Sequence, residues 1–172
     1  MKNKFKIKIL IIIFFIKVFF PAFAEDFNFN VTEVQVYQNG NLIKGIKGGK
    51  VTSGDNNIEI TADNFEYNKL TTLLEAEGNV KLLDKSANVI IESNEVFYLK
   101  NKEEIYTKGK SKATSGVNFQ IDAENYFKYN KLTTLLEASG KVIINDKQKN
   151  TIIKSNEIFY LKSKEKFSTK GE

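Results

Sequence analysis

From residue 31 onward the chain alternates apolar and polar residues in short runs. Leu74, Ala76, Gly78, Val80 and Leu82 fall on one parity, and Glu75, Glu77, Asn79 and Lys81 on the other. A period of two describes a strand with one buried and one wet face. A helix would need apolar residues at i, i+3, i+4 and i+7, and this stretch does not supply them. Polar turns are expected near Asn68-Lys69, Asp84-Lys85, Lys100-Asn101, Ser115-Gly116, Asn130-Lys131, Asp146-Lys147 and Lys162-Ser163. That spacing leaves antiparallel strands of roughly eight to eleven residues. The parity breaks between Ala62 and Phe65, and keeping Ile60, Ala62, Phe65 and Tyr67 all inward requires one extra residue there, a β-bulge.

The pattern is duplicated. Residues 67–109 return at 129–171 with 29 of 43 positions identical, an offset of 62. Beneath it runs a period of 31. Tyr recurs at 67, 98, 129 and 160, and Gly at 78, 109, 140 and 171. Ala62 answers to Ala123 at an offset of 61 but Tyr67 to Tyr129 at 62, so the copies differ in length at the expected bulge. Residues 31–49 read as a degenerate first unit, a capping repeat, and residues 25–30 as poorly ordered. The fold expected is all-β, built from repeats of about 31 residues. The chain stops inside its fourth unit, which suggests either the front of a longer protein or an edge on which another sheet docks.

Residues 1–24 have the form of an export signal: Lys2, Lys4, Lys6 and Lys8, an apolar run to Phe20, then Ala22-Phe23-Ala24. The run is shorter than the roughly 20 residues a bilayer span needs. Removing it changes the charge. The whole chain has 26 Lys and 21 acids; five of the Lys are in residues 1–24, so residues 25–172 are formally neutral (21 − 21 = 0). The excess of positive charge that nucleic acid or an anionic membrane attracts is then gone. There is no Cys, so stability in an oxidising compartment must come from packing. No His, Cys or Trp is present, which leaves no nucleophilic triad and no ordinary zinc site. Carboxylates are plentiful, but Glu75, Glu77 and Glu92 alternate outward and become Glu, Ser and Lys in the second copy. No catalytic residue, metal or cofactor is expected.

The motifs Ile60-Thr61-Ala62-Asp63 with Tyr67, then Leu74-x-Ala76-x-Gly78-x-Val80, resemble the repeat of the OstA-like lipopolysaccharide-transport family, to which LptA and the N-terminal domain of LptD belong. The pattern recurs as Ile121-Asp122-Ala123-Glu124 with Tyr129, then Leu136-x-Ala138-x-Gly140-x-Val142. The resemblance covers residues 31–172. It implies a twisted, slightly open V-shaped β-jelly roll that carries lipid acyl chains between its layers. It also implies a periplasmic location, lipopolysaccharide as cargo, and partners that are other jelly-roll domains joined edge to edge, with the outer membrane involved if a barrel follows. The chain lacks the barrel region and the Cys of a complete LptD and has a longer Gly-rich lead-in than LptA, so the member is left open, leaning toward an LptD N-terminal piece.

The lining of such a groove would be the inward columns. In the first copy these are Ile60, Ala62, Phe65, Tyr67, Leu74, Ala76, Val80, Leu82, Ile91, Val96, Tyr98, Ile105 and Ala113. In the second they are Ile121, Ala123, Phe127, Tyr129, Leu136, Ala138, Val142, Ile144, Ile153 and Ile158. Small residues at mid-strand (Ala76, Gly78, Thr107, Gly109, Ala138, Gly140) would leave volume for lipid, or let two layers close over a dry core. The tyrosines would place hydroxyls at the groove mouth, or form a ladder that only stabilises the sheet. The Lys-rich turns would meet lipid phosphates, or act as solvated edge gatekeepers. Two other functions remain open on sequence: a structural or adhesive β-solenoid with a dry core, and a polysaccharide-binding solenoid.

Overall fold

The computed structural model describes residues 26–170. The expected export signal and Gly171 lie outside the described residues. Twelve strands follow in order: β1 (Phe27–Tyr37), β2 (Leu42–Ser53), β3 (Ile58–Ala62), β4 (Asn64–Asn68), β5 (Leu73–Asp84), β6 (Val89–Leu99), β7 (Glu104–Ser115), β8 (Phe119–Ala123), β9 (Tyr126–Asn130), β10 (Leu135–Asp146), β11 (Thr151–Leu161) and β12 (Lys166–Lys170). Three single 3-10 turns cover residues 38–40, 100–102 and 162–164, and there is no α-helix among the described residues. Every turn expected from the sequence separates two strands. All pairs are antiparallel within one sheet, ordered β1-β2-β3-β5-β6-β7-β8-β10-β11-β12, with β4 between β2 and β5 and β9 between β7 and β10. The chain is therefore a meander in which β3 and β4, and likewise β8 and β9, lie end to end against the same two neighbours instead of pairing with each other.

Residues 27–30, expected to be poorly ordered, instead open β1. Phe27 is 4% exposed and Phe29 packs against the core. The alternation Phe-Asn-Phe-Asn supplies an inward apolar face, and β2 supplies backbone partners from Lys50 to Ser53. Two large rings removed from water outweigh the fraying normal at a chain end.

A line of irregularities crosses the sheet at mid-strand. Register shifts fall between Val31 and Glu33, Glu77 and Val80, Ser93 and Glu95, and Ser139 and Val142. The same line separates β3 from β4 at Asp63 and β8 from β9 at Glu124-Asn125. One residue intervenes in the first copy and two in the second, which accounts for the change of offset from 61 to 62. Each bulge adds backbone to one strand and bends it, so the single sheet folds into two facing layers. Residues 33–46, 64–77, 95–108, 126–139 and 157–170 lie on one side of the line. The rest of each long strand lies on the other.

The mid-strand glycines belong to this line and not to the interior face. Gly78 (φ 78°) and Gly140 (φ 86°) sit in the left-handed region, and a Cβ on either would run into Asp63 or Asn125 respectively. Their placement with the inward columns is corrected: they serve the bend, whereas Ala76, Thr107 and Ala138 are buried and do face inward.

Candidate functional site: the apolar interior

Between the two layers lies one continuous apolar core. Of the 23 residues read from sequence as its lining, 22 are buried; Ile153, near the last strands, is partly covered. The inward columns therefore come together as expected. Sequence reading passed over Phe27, Val51, Ile58 and Val89, which are equally buried. The alternation around Phe27 could have marked it, whereas Val51 lies beside a Gly-rich run that masks the period.

Rings cross from one layer to the other. Phe27 stands edge-on to Tyr67 at 4.8 Å and to Tyr98 at 5.6 Å between centroids, and Phe119 stacks on Tyr160 at 4.8 Å. The tyrosine column thus lies at the seam where the free ends of the layers meet. The hydroxyls of Tyr67, Tyr98 and Tyr129 are committed to acids. Tyr67 donates to Asp26, and Tyr129 donates to Asp84 at 3.2 Å across 45 residues of sequence. Tyr98 donates to Glu103 at 2.7 Å. Burial first, and then the neighbouring carboxylates, push all three phenols well above the usual tyrosine range.

Two polar clusters finish the seam, one buried around Asp84 and one half-buried around Glu103. Asp84 has no exposed surface; it accepts from the Ser86 hydroxyl at 2.6 Å, the Ala87 amide at 3.1 Å and Tyr129. Glu103 accepts from Lys100, from Lys131 at 2.8 Å and from Tyr98. Desolvation works to raise the Glu103 carboxyl, but these three contacts outweigh it and hold the group below the usual carboxylate range. Among the described residues no buried side-chain polar atom lacks a partner, and no group of acids is arranged to hold a metal.

The side chains of β3–β5 that face the interior are buried, and cavities lie toward β10–β12. An apolar void of about 20 Å³ lies among Val89, Ala113, Ile121, Leu136, Tyr129 and Tyr160. It adjoins a cleft of about 470 Å³ at the end of the stack, edged by Phe119, Tyr160, Phe167, Lys149 and Lys162. At the opposite end Val34 and Val36, on the inward parity of β1, are 49% and 59% exposed. On the outer face Phe97 is buried although its parity is outward, because Tyr106 stacks on it at 4.6 Å and Lys108 covers the ring at 4.5 Å.

Fold and interior together define an all-β protein whose single antiparallel sheet bends around an apolar core that reaches solvent at its ends. No family model matches the chain, and no curated protein matches it.

Proposed function

We propose that the chain is a non-catalytic lipid carrier of the OstA-like kind, a slightly open twisted β-jelly roll that shields lipopolysaccharide acyl chains in its interior during transfer across the periplasm. One observation carries this reading: the apolar core is continuous along the whole stack and ends in exposed inward-facing apolar residues rather than in a polar cap. Each methylene taken from water is worth about 0.8 kcal/mol, so a twelve-carbon chain needs on the order of 10 kcal/mol of shielding. A trough between two apolar layers supplies shielding of that order. The outer edge of β1 pairs with nothing among the described residues, which suits strand addition by a neighbouring domain.

A dry structural solenoid is the second reading, and the complete burial of Ile58, Ile60 and Leu82 favours it there. The two are separated by photo-crosslinking in cells that export the chain, with the probe placed at Leu136, 5% exposed, or at outward Glu137. Lipopolysaccharide captured at 136 and not at 137 supports carriage. Equal capture, or none at 136, leaves the dry solenoid.

A further inference from the structure

The two copies of the duplicated unit are not equally filled, and the difference marks a seat. The offset of 62 sets β6 in the place of β1: Phe27 pairs with Ser53 as Val89 pairs with Ser115, and Phe29 pairs with Val51 as Ile91 pairs with Ala113. In the first unit the Phe27 ring closes the gap between Tyr67 and Tyr98, with Val51 buried alongside. In the second unit Val89 stands where Phe27 would and Ala113 where Val51 would, while the ring that meets Tyr160 is the half-buried Phe119, in the place of Ile58. The Phe27 ring and two methyl groups of Val51 are thus lost, and the Phe119 ring, stacked on Tyr160, does not take up all of their space. The void bordered by Val89, Ala113, Tyr129 and Tyr160 is what remains. It shares Ser115, Phe119, Tyr160 and Lys162 with the large end cleft, so the two adjoin with those side chains between them.

The polar closure differs in the same way. In the first unit Lys100 and Lys131 both hold Glu103 beside Tyr98. In the second, Lys162 turns to the Ala87 carbonyl instead of to Glu165, and burial lowers its amine from the ordinary lysine range, opposed by the Asp84 charge. Lys149 reaches only Asp146, at 3.8 Å. Within the cleft these two lysines face Asp146 and Glu165, so the lining alone is balanced. Its surroundings are not: residues 141–170 hold eight Lys against three acids, while residues 26–107 hold eight Lys against thirteen acids. Because the sheet is a meander, that sequence asymmetry is a spatial one, and the positive end is the end with the cleft. An anion is steered there.

We infer that the void and cleft of the second unit form a seat for one acyl chain of an anionic amphiphile, with the tail against Val89 and Ala113 and the head group between Lys149 and Lys162. This rests on the lipid-carrying reading and adds to it a location, a head-group charge and an inequality between units: the first is plugged by its own Phe27, and the second receives.

The test uses the purified full chain and laurate bearing a terminal diazirine, with the labelled residues mapped by mass spectrometry. The expected label falls on residues lining the void, and it is lost in Val89→Phe, which installs the first unit's own plug. Ala113→Val, which adds only two methyl groups, serves as the second variant where Val89→Phe does not fold. Lys162→Gln is expected to lower labelling by laurate severalfold and leave labelling by the methyl ester unchanged. Interior labelling that neither plug variant alters would overturn the seat and leave lipid carriage standing. No interior labelling at all would overturn both. Equal loss with laurate and its ester would remove Lys162 from head-group binding.

Discussion

At the scale of single residues, the seam of the molecule is held by hydroxyl-to-carboxylate bonds. Tyr129→Phe removes one of the three donors to Asp84, a carboxylate with no exposed surface. The Ser86 hydroxyl and the Ala87 amide remain, so the expected loss is about 1–2 kcal/mol, read as a lower midpoint in urea unfolding with unchanged slope. An unaltered midpoint would mean that the bond does not hold the seam. Glu103 gives a pH signature. Its folded pKa is depressed below the unfolded value, so its contribution is fully present above the unfolded pKa of about 4.3 and is lost as pH falls through the folded value. Stability of the native chain minus that of Glu103→Gln, measured in urea at a series of pH values, should therefore be constant near neutrality and shrink below about pH 4.3. A difference that stayed flat into acid would remove Glu103 from the account.

At the scale of elements, the strands follow from parity and the bend follows from the bulges. Gly78 is where both meet. It needs a left-handed backbone, and a Cβ would also press on the Asp63 side chain. Gly116, in the β7–β8 turn, has a similar φ of 62° with open space around it. Gly78→Ala should then lose more than Gly116→Ala, whose penalty is the backbone term of about 1–2 kcal/mol alone. Thermal unfolding of the two variants side by side checks the order. Parity placed Tyr67, Tyr98 and Tyr129 inward correctly. It misplaced Gly78 because Ala76 and Val80 keep one parity across the bulge, so the extra residue shows only against the partner strand, where Glu77 meets Glu95 and Val80 meets Ser93.

For the whole molecule, the free edge of β1 and the exposed Val34 and Val36 leave an apolar strand open to pairing. Proline and inward charges, which blunt such edges elsewhere, are missing from β1. The purified protein should associate as its concentration rises, and Val36→Lys should suppress this, as followed by sedimentation velocity. A native chain that stayed monomeric at high concentration would show that the edge is protected in some other way.

The strands, their turns, the duplicated unit and nearly all of the inward lining were legible in the sequence, because each of these is written in local periodicity. Even the length difference between copies was legible as a change of offset. What covers Phe27 is a matter of the fold, since Tyr67 and Tyr98 reach it from the facing layer. The fold also decided which acid each tyrosine meets, across 41 and 45 residues of chain, and why Phe97 is covered on the outer face. Most of all, it decided which copy of a nearly identical unit is filled and which is open. Val89 and Ala113 look like ordinary strand residues in the sequence, and become a vacancy only when the sheet folds over and sets them where Phe27 and Val51 stand in the other unit.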